Sequence, residues 1–322
     1  MAQVRGGFAQ LIGGIKESVF GTTPATTTTA VILPIKSFTP NAKRSTSESQ
    51  IITSVRDAGT PSQGRFTVDP SAEVPIDAIT FGYWLSMFFG SPVTSGAGPY
   101  VHTFKTGLSI PSWVVEGKYS DGASFSRYFL YNGIKVNGIS FTVDWGQDQS
   151  EMIATVSMMG KNLTTGTTSM DESPSSLSFL PFSLSQFALS EGGSPATTVG
   201  SCSFNFENGL DGNIFTSGSG GLRGDLPEGK VRASGTIHAM FDSMTMVDKA
   251  TNFTESSIGL TATNGTNVMA ITIDEVKYEL NYPPVTGPEG VWVDMNWTGY
   301  LDNDSDSSIV KVVLTNSHSA YA

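Results

Sequence analysis

One stretch of this chain has the period of a helix, and almost everything else has the period of a strand. Residues 64–90 read GRFTVDPSAEVPIDAITFGYWLSMFFG. The stretch begins with an extended run, turns at Pro70 and extends again to Pro75. Then Phe81, Trp84, Leu85 and Phe88 follow at the i, i+3, i+4, i+7 spacing of one helical face. Asp77 stands where an N-cap belongs, and Gly90 where a C′ residue belongs. Five aromatics in this helix, Phe81, Tyr83, Trp84, Phe88 and Phe89, exceed what one core-facing stripe needs. Two readings stay open: a helix buried on two sides, or rings that make an inter-subunit contact.

A weaker copy of the block follows 165 residues later. Gly64-Arg65-Phe66 falls on Gly229-Lys230-Val231, and 76–80 falls on 241–245 without a gap. A hairpin recurs as well: Val136, Ile139, Phe141 and Val143 match Ile273, Val276, Tyr278 and Leu280, while Val156, Met158 and Gly160 match Met295, Trp297 and Gly299. The first copy carries about 28 more residues between helix and hairpin. The predicted fold is mainly β, with two tandem β-barrel or β-sandwich modules, each with a flanking helix, related by internal duplication. The predicted organisation is a Gly/Thr-rich N-terminal arm (1–32), a first module (33–161), a polar linker (162–176) and a second module (177–322).

Composition narrows the function classes. Charged residues make up 15% of the chain and the formal net charge is −11, against the basic face of a nucleic-acid binder and against attachment to an anionic membrane. Such a surface suits a passage to which DNA must not stick, because it repels phosphate. Cys202 is the only cysteine, so no intrachain disulfide and no cysteine zinc cluster can form, and a buried structural thiol is expected. The N-terminal run lacks a secretory h-region and no stretch approaches the roughly 18 apolar residues of a span. A soluble protein made in the cytoplasm is expected.

Motifs for chemistry are weak. His102, His238 and His318 have no spaced partners. The acidic run 302–306 begins like a calcium loop, but its sixth position is Ser307 and its twelfth Val313. Within the glycine-rich loop 209–224, the run 218–224 lacks the Lys-Ser/Thr pair of a phosphate cradle and is expected to be a mobile surface loop. No carboxylate pair sits on rigid elements. No catalytic residue, cofactor or metal site is predicted.

The run 14–25, GIKESVFGTTPA, followed by Leu33-Pro34 and residues 49–56, resembles the start of major tail tube proteins of long-tailed, non-contractile bacteriophages, with their E-S-x-x-G-T-x-P-A pattern, Leu-Pro step and S-x-x-I…R stretch. Residues 64–90 resemble the family's strand-then-helix block. Residues 100–116 resemble its Y-x-H-x-F…P-S-[aromatic]-x-x-E run, and 131–161 its hairpin ending in Met-Gly-Lys. The resemblance implies tail-tube-type modules whose strands join those of neighbouring subunits into an inner barrel. It implies rings stacked into a conduit for genome ejection, locked together by the arm and loops. It also implies tape measure and terminator or tip proteins as partners, with DNA passing the lumen without specific binding. Two modules per chain turn the family's hexameric ring into a trimer with pseudo-sixfold symmetry. The competing reading is a β-sandwich adhesin binding carbohydrate; it requires a localised cluster of exposed aromatics with Asn/Asp partners, which the sequence does not present.

Overall fold

The computed structural model describes residues 3–25, 29–52, 56–148, 151–301 and 307–321; the acidic run 302–306 lies outside them. The first half contains β1 (Gln10–Lys16), β2 (Val31–Leu33), β3 (Ser37–Thr39), β4 (Ala42–Ser47), β5 (Ser62–Val68), β6 (Ser71–Pro75), helix α1 (Phe81–Phe89), β7 (Val93–Ser95), β8 (Tyr100–Lys105), β9 (Trp113–Ser120), β10 (Ser126–Asp144), β11 (Ile153–Met159) and β12 (Asn162–Gly166). The second contains β13 (Ser175–Ser176), β14 (Phe187–Glu191), β15 (Ser194–Pro195), β16 (Val199–Glu207), β17 (Arg232–Met240), helix α2 (Thr245–Thr251), β18 (Ser256–Asn264), β19 (Asn267–Tyr278), β20 (Trp292–Gly299) and β21 (Lys311–Asn316). The chain is mainly β, as its patterning requires.

Each half is built on one long strand that serves two sheets. The start of β10 lies between β9 and β12, and its end between β11 and β16. The bend between the two parts falls at Gly133, whose φ of 67° is left-handed and whose absent Cβ leaves room for Phe20 and Lys161. The register slips there, and again between Val136 and Gly138. In the second half the start of β19 lies between β18 and β21, and its end pairs with β20. The strand orders are β1–β9–β10–β12 with β3–β6–β11–β10, and β14–β18–β19–β21 with β16–β17–β20–β19. Pairing of β10 with β16 joins the halves into an eight-stranded antiparallel sheet in the order β3, β6, β11, β10, β16, β17, β20, β19. Among the described residues the ladders branch but never return on themselves, so the sheet stays open.

The ladders also set the equivalence of the two hairpins. The slip that separates Trp113↔Ile134 from Val115↔Tyr131 recurs between Ser256↔Val276 and Ile258↔Ile273. Ile134 thus corresponds to Val276, whereas the sequence patterning matched Ile139 to Val276; the hairpin match is five residues out. The error has a physical origin, because β-branched residues at every second position fit several registers equally well. The match of β11 to β20 falls on two strands and that of 76–80 to 241–245 leads into α1 and α2, whereas Gly64-Arg65-Phe66 lies in β5 and Gly229-Lys230-Val231 precedes β17, outside any strand.

Three segments differ from their expected roles. The expected N-terminal arm is not free where it is described: β1 is inserted between β2 and β9, burying Leu11, Ile12 and Ile15. Residues 162–176 are more than a linker, since β12 pairs with β10 and β13 runs parallel to β2. The additional residues after α1 cross to the other half, where β8 pairs with β21 and carries β7 on its outer side. Composition registered the polarity of these segments but not the backbone bonds they complete.

Helix α1 is the centre of the core, with all nine residues buried. Asp77 organises its start. The carboxylate accepts from the N–H groups of Ile79, Thr80 and Phe81 at 3.0, 3.0 and 2.9 Å, although the helix itself begins only at Phe81. Gly90 closes it with φ 93° and an N–H donated to Ser86. The chain's last residues cover the far side. Tyr321 packs against Gly82, where a Cβ would meet its ring at 2.1 Å, and donates its hydroxyl to the Ile79 carbonyl.

Candidate assembly face and edges

The two faces of the eight-stranded sheet differ in chemistry. Opposed residues in an antiparallel sheet share a face. One such row crosses every strand: Ser37, Glu73, Thr155, Ser140, Asn205, Ser234, Thr298 and Lys277. All eight are polar and none is buried. The adjacent row on the opposite face reads Phe38, Ala72, Val156, Ile139, Phe206 and Ala233, and belongs to the core.

The polar face carries carboxylates together with the cations Arg232 and Lys277. Glu73, Asp144, Glu207 and Asp294 are spread across it, and most nearby cations are engaged. Lys36 pairs with Glu73 at 3.3 Å. His238 bonds Asp294 at 2.6 Å and stacks on Trp292. Lys277 donates to the Phe253 carbonyl at 2.8 Å. Arg232 stands opposite Glu207.

The junction between the halves shows how two modules join. Seven opposed pairs link β10 to β16, from Gly138↔Glu207 to Asp144↔Ser201. Beneath them Phe141 stacks on Phe204 with centroids 5.1 Å apart, and Phe204 meets Trp297 edge-on. Cys202 lies in the same layer, fully buried, its thiol pushed up to about 12 by burial. A thiol held protonated is not a nucleophile at neutral pH.

The sheet ends in two edges. At one, β3 pairs with β6 alone, and beyond it Pro40 and Asn41 lead into β4. At the other, the end of β19 pairs with β20 alone, and residues 279–282 continue its line. There Leu280 is 50% and Tyr282 62% exposed, large side chains at the free edge of the sheet.

The five helix aromatics lie elsewhere. Phe81, Tyr83, Trp84, Phe88 and Phe89 are at most 6% exposed, enclosed by the chain's own elements, so the single chain offers none of their area to a neighbour. They are buried on every side because β8, β10 and the C-terminal residues close around α1. His102 is buried too, bonded to Thr94 and to the His318 carbonyl. The 209–224 loop is anchored, contrary to its glycine content. Arg223, 4% exposed, donates to the carbonyls of Val68, Gly160 and Gly212 and pairs with Asp69 at 2.7 Å. Among the described residues no group of three or more His, Cys, Asp or Glu is disposed to hold a metal, and no helix is long and apolar enough to cross a membrane. In the sequence Leu280 enters only as the last position of the hairpin match and Tyr282 carries no signal of its own; their exposure at the edge comes from the fold.

The family model for phage tail tube protein matches residues 7–299, and the chain belongs to that family, a structural component of the virion tail assembled in the host. No curated protein matches it in sequence.

Proposed function

We propose that this chain is the major tail tube subunit, that three copies close a ring of pseudo-sixfold symmetry, and that stacked rings form the conduit for genome ejection. The observation that carries this reading is the eight-stranded sheet with a row of polar residues crossing all eight strands on one face. Two modules contribute four strands each, and three chains would wall a lumen with that face inward. Its hydroxyls and amides present neutral hydrogen-bonding groups, and its carboxylates repel phosphate, so DNA slides without being held. The tape measure protein would occupy the lumen before ejection, and terminator and tip proteins would cap the ends. The two modules, 33–161 and 177–322, descend in this reading from one duplicated unit, which their shared strand order supports.

Cross-sections of purified assembled tubes by electron microscopy test it. Threefold rings of whole chains, each resolved into two similar lobes, are expected; six whole chains per ring would exclude the trimer.

A further inference from the structure

The junction inside the chain specifies the junction between chains. We propose that residues 279–282, following β19, pair antiparallel with residues 40–43 of a second copy, in the register that β10 and β16 already use within one chain. The inference rests on the ring reading above and adds to it a seam defined residue by residue.

The register follows from the ladders. Phe38 is opposite Ala72 as Cys202 is opposite Ile237, and the shift of 165 residues relates Ala72 to Ile237. Residue 41 therefore plays the part of Asn205. On the other side Thr155 opposes Ser140; the Glu279 N–H donates to the Asn296 carbonyl, continuing the β19–β20 ladder so that residue 281 stands opposite Asp294, the counterpart of Thr155, whose backbone carbonyl accepts from the Asn281 side-chain amide at 2.9 Å. Asn281 therefore plays the part of Ser140. Since Ser140 opposes Asn205, Asn281 should oppose Asn41. By the same steps Leu280 faces Ala42, Tyr282 faces Pro40 and Glu279 faces Lys43.

Independent features of these residues agree. The Asn41 carbonyl accepts from Asp69 and the Glu279 N–H donates to Asn296, both directed inward to their own sheet. Backbone groups alternate along a strand, so Ala42, Leu280 and Tyr282 direct theirs along the free edge. Leu280 and Tyr282 occupy the places of Ile139 and Phe141, which the internal junction buries, whereas here both are exposed. Glu279 and Lys43 bring opposite charges to one pair, where the internal junction has Gly138 and Glu207. Pro40, Pro283 and Pro284 donate no N–H, which confines the new ladder to about four pairs and discourages indiscriminate pairing.

Asn41 and Asn281 form a non-hydrogen-bonded pair across the seam, with an expected Cα separation of about 4.5 Å, inside disulfide range. The test is the double variant Asn41→Cys with Asn281→Cys, assembled into tubes and oxidised; buried Cys202 stays silent. Non-reducing gels should show covalent dimers and trimers and nothing larger. The out-of-register pair Thr39→Cys with Asn281→Cys should show several-fold less product. Assembled tubes without the cross-link overturn the seam while leaving the ring reading standing. Wild-type protein that never leaves the monomer overturns both. Charge exchange gives a second measurement without cysteines. Lys43→Glu should weaken assembly by about fivefold per seam, and Glu279→Lys in the same chain should restore it; no restoration counts against the pairing.

Discussion

The two halves use the same strand order around helices of very different standing. In the first, α1 has nine residues, all buried, with Trp84 and Phe88 sealed beneath β8, β10 and Tyr321. In the second, α2 has seven residues, of which only Val247 and Ala250 are buried. The cap differs in the same sense. Asp77 satisfies three backbone donors, while Asp242, at the matching position, is exposed. A repeated frame does not impose repeated energetics. The first half received two further covers, β8 with β7 and the C-terminal residues, and its helix became core. The second received neither, and its helix stayed at the surface.

Four measurements would break or sharpen this contrast. The largest difference should come from the helices themselves. Trp84→Ala is expected to cost about 3–5 kcal/mol in chemical denaturation, whereas Met246→Ala, at a partly exposed site, should cost about 1 kcal/mol or less. Equal losses would mean that the helices are energetically alike.

The caps come next. Asp77→Ala leaves buried N–H groups without an acceptor and should cost about 2–4 kcal/mol. Asp242→Ala should change stability by no more than about 0.5 kcal/mol, the ordinary range for a surface substitution.

A smaller effect separates the halves by pH. Burial raises the carboxyls of Glu17, Asp77 and Glu116, all in the first half. A raised carboxyl holds its proton in the folded chain after the unfolded chain has released it. Folding then takes up protons, and stability falls as pH rises through the window above the ordinary value of 4.5 for Glu17 and Glu116 and 3.8 for Asp77. Glu228 is the opposite case: burial opposes its ionisation, but Lys135 and the Ile110 N–H outweigh it and lower its pKa. Its contribution is lost on acidification. Glu116→Gln should therefore flatten the decline of the unfolding midpoint above the ordinary carboxyl range, and an unchanged slope would remove Glu116 from the account.

The smallest signal is chemical. Cys202 should resist thiol reagents in the native protein and react fully on unfolding, with at least a hundredfold rate difference at about neutral pH. Rapid native labelling would show that the β10–β16 junction opens.

What was legible in advance follows from local physics. Alternating apolar residues define strands and i, i+3, i+4 spacing defines a helix, so the mainly β class and α1 with its Gly90 end could be read from residue order, while the expected N-cap Asp77 lies three residues before Thr80, the helix's N-cap residue. The acidic balance and the single cysteine bounded the chemistry in the same way. Tertiary structure decided everything that depends on which strand edges meet. Residues 10–16 entered a sheet because β9 had a free edge for them, Arg223 was drawn from a glycine-rich loop to three carbonyls, and β8 crossed to β21. Helix α1 was enclosed for the same reason: its aromatics could be counted in the sequence, but the elements that cover them come from residues 100–105, 126–144 and 321, brought together only by the fold. Hydrogen-bonding edges carry no residue code of their own, since every backbone offers the same N–H and C=O, and their partners are chosen by the packing of the whole chain.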